Sequence, residues 1–573
     1  MSTATLYTNG RILTMVDPED RPEALLVRDG RIAFVGPRDQ ACAEARVVDV
    51  DEAPDATALT EVDLAGATLM PAFIDPHGHL YTHGVLAAMV DLEHAESIEE
   101  MIEAFRERAE QEEDASSPLI GVKYDLDVLA EGRHPTREEL DRAADDRPVM
   151  AFHRSLHVGA VNSFLLREAG VDADTPDPEG GRYGREADGR TPDGYVEEHP
   201  AMAPLMPVLS PENPDSLLPT SSIPPAEVVA LAATDYLAHG ITTAQDGASD
   251  QATVQRLVQA ADEGAIPIDL VCYPVVAGGV PTAFEDHPDF AGDYRGRLRL
   301  GGYKMLLDGA PQARSAWLSR PYEKLEDGAD SEDGADGEDG AGGEGEEPTS
   351  GYPIMTDEQV EAAARTAAAN GRQLIVHCNG DAASEQWISA VERITAQDPA
   401  ILQQRPVMIH AQTVRPDQLE RMEKINMIAS IFVGHTWFWG DVHLKNLGPE
   451  RGAAISPGRT ALDKGVRITL HQDTPVTPPD MIHSIWAAVN HISRHGTEIG
   501  PGERITPWEA LRAVTHDAAY QYGEEAEKGQ LREGMRADLV ILSADPLDVN
   551  PANLREVQVV ATIKDGEELY RAS

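Results

Sequence analysis

"LMPAFIDPHGHL", residues 69–80, runs as an apolar strand and ends on two histidines two positions apart, His77 and His79. On an extended strand residues i and i+2 share a face, so both imidazoles point the same way and are placed to grip one metal ion. The other reading of the pair is a polar turn after a buried strand. What the remaining strands deliver decides between them.

The chain has 573 residues, 41% of them hydrophobic, which calls for a large domain plus a smaller one. No window of about 18 uninterrupted apolar residues appears, so no transmembrane helix and no membrane partner are expected. The start, "MSTATLYTNGRILTM", lacks the basic and apolar regions of a signal peptide. Cys42, Cys272 and Cys378 are too few for a disulfide framework. The expectation is a cytoplasmic protein.

Charge narrows the partners. Against 47 Lys and Arg stand 99 Asp and Glu, a net charge of −52, which repels nucleic acid. Only eight lysines occur, so arginine carries nearly all the positive charge. Residues 323–348 hold twelve acids and one lysine, too few to account for the excess. This low-complexity insert is expected to be disordered. An acid-coated, lysine-poor surface is similar to that of proteins from salt-loving organisms, where salt screens the self-repulsion.

Both ends of the chain read as short strands around Asn-Gly and Asp-Gly turns, as in "TLYTNGRILTMV", "EALLVRDGRIAFVG" and "VQVVATIKDGEELY", which are strong hairpin signals. The middle alternates apolar strands with amphipathic helical stretches, the pattern of a parallel α/β fold. Ten strand candidates appear: 70–76, 118–124, 148–154, 240–246, 266–274, 299–306, 372–377, 406–410, 427–432 and 466–472. The surplus over eight resolves if 118–124 and 148–154 belong to an insertion at about 84–225. The expected fold is therefore α/β: a (β/α)8 TIM-like barrel over 68–519 with that large insertion after its first strand. Segments 1–67 and 520–573 would form one small β-sandwich domain.

In such barrels reactive groups sit at the C-terminal ends of strands. There the chain places His77 and His79, Lys304 in "LRLGGYKMLLDG", His377 in "QLIVHCNGD", His410 in "PVMIHAQ" and Asp473 in "VRITLHQDTP". Neutral imidazoles and carboxylates are the usual ligands of zinc and its first-row neighbours. A lysine in an apolar strand is costly to bury charged; addition of carbon dioxide would make Lys304 an anionic ligand able to bridge two metals. Taken singly, each residue has an ordinary structural explanation. Five strand ends in order argue for a metal site.

With these residues in place the chain resembles the metal-dependent amidohydrolases, specifically amidohydrolase family 3. The likeness is carried by "PAFIDPHGHL", "PTREELD", "GITTAQDG", "YKMLLDGAPQARSA", "IVHCNGDAA", "IHAQTV", "HQDTPV", "TPWEALRAVTHDAA" and "GQLREGMRADLVIL", and runs from about residue 5 to 572. It implies hydrolysis of non-peptide C–N bonds in a small-molecule amide; relatives include deformylases of N-substituted formamides. It also implies that His77, His79 and Asp473 bind one divalent metal. His377 and His410 would bind a second, bridged by carboxylated Lys304. Zn2+ is expected, one or two ions, with Mn2+ the alternative and no organic cofactor. The family's Glu-His is here Ile409-His410, and its "DGSLGSRTA" reads "DGAPQARSA", which keeps Asp308, Gly309 and Arg314.

The implied mechanism is attack by metal-activated hydroxide, with Asp473 as proton shuttle. Substrate contacts are expected from Arg154, His157, Asp308, Arg314 and His435, the last as an oxyanion donor. Trp437, Phe438 and Trp439 would either wall an apolar pocket or simply pack under the loop. Glu198 is expected as a substrate contact, or as a replacement ligand should Lys304 be unmodified. Two other classes share the shell: a catalytically silent binding or regulatory protein, and a deaminase of a cyclic nitrogen compound. Nothing in the sequence decides between monomer and homodimer.

Overall fold

The computed structural model describes residues 3–45, 58–111, 114, 116–126, 128–153, 158–178, 180–211, 223–276, 279–324 and 349–572. Nearly all of the acidic insert, and both Arg154 and His157, lie outside them. The chain divides into two compact units: Met1–Tyr81 with Ala233–Ala329 and Gly342–Ser573, and Thr82–Ala232 with Asp330–Ala341.

In the first unit eight parallel strands follow one another in chain order: β1 (Phe73–Ile74), β2 (Ile241–Ser249), β3 (Asp269–Pro274), β4 (Leu298–Leu300 and Gly302–Leu306), β5 (Gln373–Cys378), β6 (Val407–His410), β7 (Ile428–Ile431) and β8 (Ile468–Leu470). Their ladders form two sheets that meet at β4. Its first half pairs with β3 and its second half with β5. Gly301 permits the break, since a Cβ there would lie 2.5 Å from Val271 and 2.6 Å from the Tyr273 ring. The bridge Val275 to Lys304 ties the end of β3 to the second half of β4. Among the described residues no ladder joins β8 to β1; instead His79 N donates to Thr474 O at 2.7 Å. The arrangement is TIM-barrel-like, but it is not closed by continuous ladders.

Helices alternate with these strands. Gln251–Asp262 buries Val254, Leu257 and Ala261, the spacing of one helical face. Ile74, Val271, Ile375, Val407, Ile409 and Ile428 from five strands meet in one apolar cluster, completed by Ala518, Ala519 and Tyr522 of the helix His516–Tyr522. Burying apolar side chains from successive strands in one place holds the strand ends in fixed register.

The chain ends supply two further sheets, one of N-terminal strands and one pairing Arg11–Ile12 and Thr68–Pro71 with Leu539–Leu542, Val559–Lys564 and Glu567–Arg571. The hairpin residues Asp29-Gly30 and Asp565-Gly566 all take positive φ, 48°, 76°, 49° and 80°, as tight two-residue turns require. Leu25, Ile32, Leu69, Leu539 and Ile541 share one core drawn from both ends of the sequence.

In the second unit Leu119–Tyr124 and Val149–His153, the two surplus strands of the sequence, pair within a six-stranded sheet. The helix Ile98–Gln111 packs Ile98, Met101, Ile102 and Phe105 on that sheet's core. No helix among the described residues is long and apolar enough to cross a membrane.

Below β3 two of the eight lysines are buried. Lys528 Nζ lies 2.6 Å and Lys564 Nζ 2.7 Å from Asp269 Oδ2, and Lys564 also reaches Asp538 at 2.7 Å. Burial opposes its ionisation, but Lys528 and Lys564 hold the Asp269 carboxyl well below the usual carboxylate range. Asp269→Ala removes the shared partner of both ammonium groups and should cost about 3–5 kcal/mol, read as a lower denaturation midpoint. Because the native pKa is depressed, the aspartate's contribution is complete above its unfolded value of about 4 and is lost as pH falls through the native value. A midpoint shift equivalent to under about 0.5 kcal/mol would show that the network does not carry the fold.

Candidate metal centre

His77 Nδ1 lies 2.6 Å from Gln245 Oε1. Gln245 spends its amide nitrogen on Pro76 O at 2.8 Å and the Tyr522 hydroxyl at 3.2 Å, so Oε1 must accept and His77 carries its proton on Nδ1. His79 Nδ1 lies 2.5 Å from Gly247 O, a carbonyl that can only accept. Both histidines therefore present a bare Nε2. These nitrogens lie 3.3 Å (His77) and 3.2 Å (His79) from Asp473 Oδ1, which is buried and makes no hydrogen bond. Three lone pairs around one point repel unless a cation lies between them.

His410 joins the group. Its Nε2 is 3.9 Å from Asp473 Oδ2, and His77, His410 and Asp473 each offer a donor atom within 4.8 Å of the others. Donor chemistry and the unpartnered oxygen fit a divalent ion held by nitrogen and carboxylate. The His79 side chain, 27% exposed, forms the open side, whereas that of His77 is fully enclosed. His410, Ala411 and Asp473 take left-handed backbone, φ 74°, 49° and 58°, a conformation that costs about 1–3 kcal/mol each and persists where the surroundings demand it.

Electrostatics follow from burial and the carboxylate. Burial, reinforced by Lys304, keeps His77 well below its ordinary pKa. Burial works against protonation of His79 too, but the Asp473 carboxylate raises it. Asp473 is itself held well below the usual range: burial opposes this, and His410, His79 and His77 overcome it. Lys304, 1% exposed, sits with Nζ 3.0 Å from His77 Nε2. Burial pulls its pKa down to about 8, with Asp473 pulling the other way.

His377 stands beside His410, ring centroids 4.4 Å apart. Its Nδ1 lies 3.1 Å from Asp308 Oδ1, and its Nε2 accepts from Asn379 at 3.2 Å. Asp308 also accepts from the backbone of Asn379, Gly380 and Trp317, at 3.0, 2.7 and 3.0 Å, so it fixes the loop after β5. Arg314 is likewise engaged by the protein, donating to Glu323 O at 2.7 Å and stacking 5.1 Å over the Tyr322 ring. Glu198 opens the helix Glu198–Met202 of the second unit. Trp437 packs on His483 and Trp486, 5.7 and 5.1 Å between centroids, with Arg555 5.4 Å above it. That is a packed cluster.

Sequence reasoning passed over Gln245 and His471. His471 Nε2 is 3.2 Å from His410 Nδ1, and its own Nδ1 is 2.9 Å from Ser430 Oγ. Both residues stood in quoted motifs, "GITTAQDG" and "HQDTPV". His471, two residues before Asp473, was open to the same i, i+2 argument that singled out His77 and His79.

A buried His/His/Asp donor set at the strand ends of a TIM-barrel-like unit defines a metal-dependent hydrolase class of site. The amidohydrolase family pattern matches residues 60–570, and the chain belongs to that family of enzymes acting on carbon–nitrogen bonds. It is 28% identical to an N-substituted formamide deformylase of Arthrobacter pascens over 99% of this chain and 98% of that protein. It is 26% identical to the Arabidopsis thaliana protein LONG AFTER FAR-RED 3, covering 99% and 91%. Among solved structures, an uncharacterized metal-dependent hydrolase from Pyrococcus furiosus superposes with a TM-score of 0.72 at 25% identity, covering 95% of this chain and all of the other.

The hydrogen bond to Gln245 predicts a measurable dependence. Gln245→Leu frees the Nδ1 proton of His77 and should weaken divalent-ion binding by about 10- to 100-fold, read by competition with a chromophoric chelator. Unchanged affinity would mean that His77 is oriented by something else.

Proposed function

We propose that the protein hydrolyses a non-peptide amide or N-formyl C–N bond of a small molecule, with His77, His79 and Asp473 holding one divalent cation. The observation that carries this is the convergence of two bare Nε2 atoms on an unbonded carboxylate oxygen. His377 and His410 would hold a second cation. Lys304 would bridge the two once its neutral amine has added carbon dioxide and released a proton, leaving a carbamate. The lowered pKa of Lys304 supports this, because only the free amine adds carbon dioxide. The chemistry that divalent ions supply in such a chelate is Lewis acidity, which polarises a carbonyl and acidifies water.

The chain's residues do the rest. With Oδ1 of Asp473 turned to a cation, Oδ2 takes the proton of the attacking water and returns it to the departing nitrogen. His435 donates to the oxygen that gains charge as the carbonyl is attacked. The similarity to a formamide deformylase supports N-substituted formamides as the first substrates to try. We further propose the division 1–67 and 520–573 as a β-sandwich, and 68–519 as the barrel with its insertion at 84–225.

The test is formate or amine release from N-benzylformamide, formanilide and acetanilide in high salt. Wild type should turn over at least one of them, and Asp473→Asn should lose about 10²- to 10⁴-fold in rate. Equal rates would sink the proton transfer through Asp473. Elemental analysis of protein purified without chelators should find two metal ions per chain, and one in Lys304→Met; two in both would remove the bridge.

A further inference from the structure

Eight residues beyond His435 lies a second buried histidine, His443, on the helical segment that begins at Gly440. His435 Nδ1 and His443 Nε2 are 2.9 Å apart. Burial pulls the His443 pKa down to about 3, and burial with His443 alongside holds His435 well below its ordinary value. Each ring is therefore neutral and carries a single proton, and one of the two protons lies between them.

Two arrangements satisfy that contact. In the first, His435 Nδ1–H donates to His443 Nε2, and the proton of His443 then sits on its own Nδ1. That atom is buried and has no hydrogen-bond partner. In the second, His443 Nε2–H donates to His435 Nδ1, and His443 Nδ1 keeps only an unused lone pair. A buried N–H without an acceptor is rarer than an under-used acceptor, and leaving the donor unpaired costs its full desolvation. The second arrangement wins.

Its consequence falls on His435, whose proton must be on Nε2; unlike His443 Nδ1, that nitrogen is not among the sealed atoms left without a partner, so water or substrate can accept its proton. The ring cannot swing away from this pose. Phe432 packs edge-on at 4.7 Å and the Trp439 ring lies tilted at 4.8 Å between centroids. His435 follows β7, whose neighbours β6 and β8 lead to His410 and Asp473.

We propose that His443 is a positioning residue: by donating from Nε2 it locks His435 in the tautomer that presents Nε2–H to the developing oxyanion. This rests on the hydrolase reading above. It adds a requirement on a residue that touches neither substrate nor metal ligand.

The tautomer is read without substrate, by long-range proton–nitrogen correlation on 15N-histidine-labelled protein at neutral pH, with the His435 signals assigned by their loss in His435→Gln. Nε2 should be protonated and Nδ1 bare; the reverse overturns the proposal outright, whatever the activity. His443→Gln keeps a donor near the same place and should keep both the tautomer and kcat near wild type. His443→Leu should let the tautomers mix and lower kcat by about 10- to 100-fold with KM little changed. Equal losses in the two variants, or a loss in KM alone, would reduce His443 to packing. A wild-type protein inactive on every formamide and anilide would sink the hydrolase reading by itself. The correlation spectrum would still decide whether His443 sets His435.

Discussion

Two imidazole nitrogens and one carboxylate oxygen, all without protons, face one another across little more than 3 Å. The fold spends backbone strain and buried polar groups to keep them there. Each Nδ1 proton is tied to an acceptor on β2, Gln245 for His77 and the Gly247 carbonyl for His79. Gly247 has to be glycine, because a Cβ there would lie 2.8 Å from the His77 ring. The hydrogen bond from His79 N to Thr474 O, at the rim between the ends of β1 and β8, brings Asp473 opposite the two histidines. The contacts that bring the ends of β1 and β8 together thus also assemble the chelate.

The parts of this that the sequence made legible are those with a period or a paired partner. The H-x-H pair, the histidines ending β5 and β6, the aspartate after β8 and the Asp-Gly hairpins each carry a local signal; in the structure the first three groups lie at strand ends and the Asp-Gly pairs in turns. The supporting acceptors carried none. Gln245 is one neutral side chain in an apolar run, and its role depends on Pro76 and Tyr522, the latter 277 positions away. The break in β4 was equally hidden, since it follows from the space around Gly301 and from no pattern in the strand itself. Arg314 is marked by the family's motif and the tryptophans by their aromatic clustering; each also makes contacts within the protein.

Lysine shows how little residue type alone decides. Lys304, Lys528 and Lys564 are all buried to 3% exposure or less. Lys528 faces Asp269 and Glu524 and is held charged, its pKa well above the ordinary value although burial works against it. Lys304 faces the neutral ring of His77, and burial wins there, drawing its pKa to about 8. In a chain with so few lysines, the charged ones below β3 brace the fold. The one at the strand ends is the one able to lose its proton.

Charge balance carries the argument one step further. An ammonium at Lys304 would add a positive charge beside a site built to receive a divalent cation, and at this depth the repulsion is weakly screened. Among the four candidate histidine ligands, His77 and His79 hand their Nδ1 protons to neutral acceptors and His410 is backed by neutral His471; only His377 is backed by a carboxylate, Asp308. A carboxylate partner makes an imidazole the stronger donor, so the His377 side is electron-rich through Asp308 and the His77 side through Asp473. On the proposed reading, conversion of the Lys304 amine to a carbamate supplies negative charge where two cations would meet. Ile409, in place of a carboxylate on β6, adds no charge: its side chain joins the apolar cluster.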